Sequence, residues 1–206
     1  MELLAEAPAS YLGSDPFIES CSPSVVALAA SLRESHPGDI DFAHASFEWV
    51  RDNVSHSFDA QDRRVTITAT EVLRERVGLC YAKAHLLTAM LRAEGVPAGL
   101  CYQRLADDAI GQGHVVHGLI ALHLEGAWHR QDPRGNKSGV NAQFSLGAEQ
   151  LAWVADPHLG EIDYPVVYDS PVASVVNALR STDDILELYR SGLPDALTDA
   201  EAGARR

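Results

Sequence analysis

The chain has 206 residues, 46% of them hydrophobic, and a formal net charge of −13. That length and apolar content suit one compact domain. The charge repels phosphate backbones and anionic lipid surfaces, which makes nucleic acid and membranes poor partners. No apolar run approaches the roughly 20 residues needed to cross a bilayer. The N-terminus, MELLAEAPASYLG, lacks the basic segment of a secretory signal, so the expected compartment is the cytoplasm.

Residues 1–23 mix Pro, Ser and Gly with short apolar pieces and read as an arm. Ser22 as cap and Pro23 in the first turn open a helix with an apolar face over 26–32. Asp39 or Asp41 opens a second helix, DFAHASFEWVRDNV, with Phe42, Ala45, Phe47, Trp49 and Val50 on its buried side. HSFDAQDRRVTI is polar and reads as a loop. TATEVLRER starts a short helix with Thr68 and Glu71 spaced as a capping box. The strongest helix runs over 81–94, with Ala84, Leu87, Met90 and Leu91 in one stripe and Gly95 at its end. Val96-Pro97 leads into a strand ending near Leu105, followed by the loop ADDAIGQG. VVHGLIALHL and AWHRQDP flank Glu125-Gly126 as a β-hairpin. GNKSGVNAQF is another loop, and two helices lie at about 173–179 and 183–190. The expected domain spans 1–194, and the small, polar tail of 195–206 is expected to be disordered. Helices first and mainly antiparallel strands after them make the class α+β.

Three cysteines, Cys21, Cys80 and Cys101, are too few for a disulfide framework, and without a CxxC they do not make a thiolate zinc site. The tetrapeptide GLCY occurs twice, around Cys80 and around Cys101. Cys80 opens the strongest helix, where unpaired N–H groups and partial positive charge favour thiolate and can receive a developing oxyanion. Tyr81, Ala82 and Ala84 lie near that entrance. Cys101 sits in mid-strand, where apolar surroundings raise a thiol's pKa. Cys80 is therefore the candidate nucleophile.

A nucleophilic cysteine needs a base, and the base needs an orienting group. If the turn at Glu125-Gly126 contains an even number of residues, Leu124 faces Ala127 and Leu119 faces Asp132. Strand alternation then puts His117 on the face of Asp132, diagonally beside it, and His114 on the other face. An odd turn reverses the assignment. His123 has the right parity but lies too far along. HVVH at 114–117 lacks the glutamate of HExxH and lies on a strand rather than a helix, which disfavours a metal site.

At this point the residues resemble a family. GLCYAKAHLLTAMLRAEGVPAGL resembles the transglutaminase-like core: Gly-x-Cys, an alanine-rich helix, then Leu-Arg-Ala-x-Gly-Val-Pro-Ala. HGLIALHLEGAWHRQDPRG resembles its second half, and FEWVRDNV and TEVLRERVG resemble its lead-in. The likeness covers roughly 42–136. It implies a transglutaminase-like, papain-like fold in which a helix bearing Cys80 packs on an antiparallel sheet carrying His117 and Asp132. It implies acyl transfer or amide hydrolysis through a Cys-His-Asp triad, with no metal and no cofactor. The acyl donor is then a small molecule, peptide or protein, and the acceptor an amine or water. His-Ala-Trp, frequent in the family, is His117-Gly118-Leu119 here. Gln103 and Tyr102, on the strand after the helix, are candidates to border the site; Gln103 is an oxyanion donor or, with greater weight, a buried structural amide. Arg134, Asn136 and Lys137 are candidates for a polar rim that selects an acidic substrate. The competing expectation is a non-catalytic binding or scaffold module on the same fold.

Overall fold

The computed structural model describes residues 1–107 and 113–203. The loop expected at ADDAIGQG falls mainly outside them. Seven helices and six strands run in the order α1 (Pro23–Ser35), α2 (Asp39–Asn53), β1 (Ser55–His56), α3 (Ser57–Ala60), α4 (Ala69–Glu75), β2 (Val77–Gly78), α5 (Cys80–Ala93), β3 (Ala98–Ala106), β4 (His114–Leu124), β5 (Ala127–Gln131), β6 (Ile162–Asp163), α6 (Ala173–Arg180) and α7 (Ile185–Ser191), among the described residues. The architecture is α+β: N-terminal helices pack against an antiparallel sheet of strand order β5-β4-β3-β6.

Local chemistry fixes several boundaries. Thr68 and Glu71 close the expected capping box at the start of α4, each side chain meeting the other residue's backbone N–H. Gly95, at φ 79°, ends α5 in the left-handed region. Glu125 and Gly126 both have positive φ, 50° and 79°, the mark of a two-residue hairpin turn whose twist suits the strands. The register follows: Leu124 faces Ala127 and Ile120 faces Gln131. The paired register ends there, with Leu119 and Asp132 the next residues on the two chains.

Two regions differ from the sequence expectation. HSFDAQDRRVTI is not wholly loop. Ser55 and His56 pair in parallel with Val77 and Gly78, and Ser57–Ala60 make one helical turn. A pairing this short leaves no periodic signal. Within the tail expected to be disordered, points of the described part are held: Leu197 is buried, its N–H donates to the Tyr164 hydroxyl at 3.1 Å, and the Glu201 carboxylate receives the Ser174 N–H at 2.8 Å.

Helix α5 is buried from Cys80 to Arg92 on every side, not along one stripe. The sheet covers one side, and α1, α2 and α4 cover the rest. Its polar side chains therefore have to find partners inside the protein. Arg92 donates to the carbonyls of Ala98, Gly13 and Asp169 at 2.7–2.8 Å. His85 Nδ1 meets the Ile67 carbonyl at 2.7 Å. Lys83, fully buried, donates to the carbonyls of Val54 and Arg51 at the end of α2, binding α2 to α5.

Burial and the nearby Arg134 guanidinium push the Lys83 amine down to about 7, against the pull of Asp132, Asp52 and Asp59. A neutral amine still has two N–H donors for those two carbonyls. Above that value the unfolded chain binds the proton that the folded chain has released, up to the ordinary lysine value of 10.5. Stability contributed by this group therefore rises with pH across the window. Urea unfolding from pH 7 to pH 10 should show native stability rising relative to a Lys83→Met variant. Parallel pH profiles for the two proteins would contradict this.

Candidate active site

Cys80 is the first residue of α5 and is 8% exposed. It meets β4 at Gly118, whose N–H points at Sγ from 3.5 Å. A Cβ at Gly118 would lie 2.6 Å from Cδ1 of Tyr81 and 3.3 Å from its Cα, so glycine is what lets the start of α5 approach the strand. The Tyr81 hydroxyl donates to the carbonyl of Val116 on the same strand. Glycine after His117, a departure from the frequent alanine, thus follows from the Tyr81 ring lying over it.

His117 and Asp132 are both buried, and Nε2 of the ring lies 2.8 Å from Oδ2 of the carboxylate. Oδ2 also receives the Ala152 N–H at 3.1 Å, and Oδ1 the Arg134 N–H at 3.0 Å. Desolvation opposes charge on both groups. The mutual attraction and these hydrogen bonds outweigh it and hold Asp132 below the usual carboxylate range. Burial likewise acts against the charged ring of His117, but Asp132 and the Cys80 sulfur raise it to about 10. With Nε2 given to Asp132, Nδ1 is the ring nitrogen left for the sulfur. The edge of Trp153 closes over the imidazole, ring centres 5.0 Å apart at 82°.

Cys80 and His117 line one cavity of about 390 Å³ together with His56, Phe58, Trp153 and Tyr189. Arg134 is buried and clamps Asp59 with two hydrogen bonds, at 2.5 and 3.1 Å, while its guanidinium lies 5.2 Å from the Trp153 ring centre. Lys137, at the cavity rim, also reaches Asp59, at 3.1 Å. Burial alone would raise the Asp59 carboxyl, but Arg134, His56 and Lys137 hold it down at about 2. Burial pushes His56 well below its ordinary value, with Arg134 adding to the effect.

The other sequence candidates are placed elsewhere. Gln103 faces His117 across β3 and β4, but its amide donates to Asp163 at 2.8 Å and to the Trp153 carbonyl at 3.4 Å, which anchors the Trp153 loop. The Tyr102 hydroxyl accepts the Val172 N–H at 3.3 Å. Asn136 pairs with the backbone of Ala142 at 2.7 and 3.2 Å. Tyr81 uses its hydroxyl on Val116, and none of these four lines the cavity. The polar rim is reduced to Arg134 and Lys137, both engaged by Asp59. Cys101 is fully buried, and desolvation pushes its thiol up to about 12. His114 turns to the Leu159 carbonyl at 2.8 Å.

Sequence reasoning did not single out Trp153, Asp59, His56 or Tyr189. Trp153 carried one usable signal, an isolated tryptophan in a weakly patterned loop. His56 and Tyr189 reach the cavity only through long-range packing, and Asp59 acts on it from behind, through Arg134 and Lys137.

Comparison with known proteins places this geometry in a family. The profile of the transglutaminase-like superfamily matches residues 26–133. Among solved structures, a candidate cysteine protease from Cytophaga hutchinsonii aligns at 18% identity and a TM-score of 0.48, covering 61% of this chain and 41% of that one. The periplasmic domain of TgpA from Pseudomonas aeruginosa aligns at 18% identity and a TM-score of 0.46, covering 61% and 48%. The chain thus spans less than half the length of either. Curated protein sequences returned no match. Among the described residues, no helix is long and apolar enough to cross a membrane. The family profile covers more than half of the chain, which belongs to the transglutaminase-like superfamily.

Proposed function

We propose that the chain is a cysteine-dependent enzyme that transfers an acyl group to an amine or to water, with Cys80 as nucleophile, His117 as proton shuttle and Asp132 as orienting group. The observation that carries this reading is the His117 ring itself. Its Nε2 is given to a buried carboxylate, the Cys80 sulfur helps to raise the charge state of the ring, and both side chains line one cavity.

In this reading the thiol proton already rests on Nδ1 of His117, and the Cys80 thiolate attacks the acyl carbon. The tetrapeptide start of α5 supplies backbone N–H groups for the developing oxyanion. Collapse releases the leaving group, which receives the proton from His117, and leaves a thioester on Cys80. An incoming amine or water gives its proton to His117 as it attacks, and the thiolate–imidazolium pair is regenerated. Asp132 keeps Nε2 protonated and stabilises the imidazolium without itself taking the proton. Trp153 shields the ion pair from water, which strengthens it.

Incubation with p-nitrophenyl acetate should place an acetyl group on the peptide containing Cys80, and on no other cysteine peptide. Cys80→Ala should give no adduct while keeping its circular dichroism spectrum. Asp132→Asn should slow acylation by about 10²–10⁴-fold. Equal acylation of Cys80 in the native and Asp132→Asn proteins would overturn the assigned roles, and a Cys80 inert to acyl donors would favour the binding-module reading.

A further inference from the structure

The cavity is built from two parts of the chain. Cys80 and His117 come from the family-matched region, whereas Val140, Trp153, Tyr189 and Leu193 lie beyond it. The Tyr189 ring stacks on Phe58 with centres 4.2 Å apart at 19°, and presents its edge to His56 at 5.9 Å. Leu105, Val115 and Leu193 extend the apolar lining. Of the charged side chains in the lining, Arg134 and Lys137 serve Asp59, His117 is paired with Asp132, Glu161 accepts the N–H groups of Ala106 and Asp156, and Asp107 completes the set. The volume of about 390 Å³ lies near the lower end of small-molecule sites, about 300–1,000 Å³.

A second observation concerns the strand edge beside the site. Strand β5 ends at Gln131, opposite Ile120, so β4 continues past it toward His114. An extended peptide laid against that edge would have to pair with its backbone groups. At Val116, next to His117, both are taken. The N–H donates to the Pro194 carbonyl at 2.7 Å, and the carbonyl accepts the Tyr81 hydroxyl. The segment that fills the edge is fixed further along: the Asp195 carbonyl receives Arg104 Nε at 2.9 Å, and Leu197 N–H donates to Tyr164. The same strap carries Leu193 into the cavity wall.

We infer that the acyl donor carries a compact apolar group, aromatic or branched, rather than being a polypeptide laid along β4, and that Tyr189 of α7 and Leu193 of the strap set the size of that group. The inference rests on the acyl-enzyme reading above. In the test reaction, the Cys80 sulfur bonds to the acyl carbon of a p-nitrophenyl ester. The carbon–oxygen bond breaks, p-nitrophenolate leaves as the anion, and the proton of the resting ion pair stays on His117.

Burst release of p-nitrophenolate, with the adduct mass read on the Cys80 peptide, should be compared for acetyl, phenylpropanoyl and decanoyl esters on the full chain. The phenylpropanoyl ester should acylate at least about tenfold faster than either of the others. Tyr189→Ala and Leu193→Ala should each raise the decanoyl-to-phenylpropanoyl rate ratio by about tenfold or more, and either variant suffices if the other fails to fold. Adducts that form on Cys80 at rates indifferent to acyl size, in native and variant proteins alike, would overturn this inference alone. Absence of any adduct with all three esters would overturn the acyl-enzyme reading and this inference together.

Discussion

The buried hydrogen bond between His117 Nε2 and Asp132 Oδ2, 2.8 Å long, organises the rest of the site. It exists because two strands are held in one register by a two-residue turn. A slip of one residue would send His117 and Asp132 to opposite faces. The carboxylate does more than hold the ring. Its remaining hydrogen bonds reach the N–H groups of Arg134 and Ala152, so the loop after β5 and the loop bearing Trp153 both hang on the same side chain. Removing one partner of such a buried charged pair costs about 3–5 kcal/mol, because the other charge is left without compensation. A carboxylate at this position is thus an electrostatic requirement and a mechanical one.

The sulfur is positioned by a different set of constraints. Helix α5 has no exposed face, and its start is pressed onto β4 at a glycine. Lys83 ties the helix to the end of α2, Arg92 ties its far end to three carbonyls, and Tyr81 ties its first turn to Val116. The parallel pair of β1 and β2 sets His56 beside Gly78, two residues before Cys80. The N-terminal helices are therefore the mount that fixes where the thiol points, and the hairpin is the mount for the imidazole. The cavity lies where the two meet.

Much of this was legible in the sequence wherever a local rule decides the outcome. Glu125-Gly126 marked the turn, but the parity of His117, His114 and Asp132 stayed conditional on its length until the register showed two residues in it. Thr68 and Glu71 declared a helix start. What stayed hidden depends on contacts between distant segments. The stripe of Ala84, Leu87, Met90 and Leu91 showed one buried face of α5, but nothing in the helix itself told that Lys83, His85 and Arg92 would be buried too, because their partners are backbone carbonyls of other segments. Gln103 lies on β3 as a buried structural amide, the role that weighed more in the sequence; its partner stayed hidden, because Asp163 lies on a two-residue strand that leaves no periodic pattern. The tail past Pro194 has a loop's composition, yet it is held by Tyr164, Tyr168 and Ser174.

The central claim is that the Cys80 sulfur and the His117 imidazole act as one ion pair under the hold of Asp132. Site-resolved alkylation of the three thiols by iodoacetamide, followed by mass spectrometry from pH 4 to pH 10, tests it most directly in the native and His117→Ala proteins. The account predicts that Cys80 alone reacts quickly near neutral pH and that its rate falls sharply when His117 is removed. Cys101 should stay inert throughout, as its burial and raised thiol require. A Cys80 that reacts as an ordinary thiol, with the same pH profile in both proteins, would contradict the account.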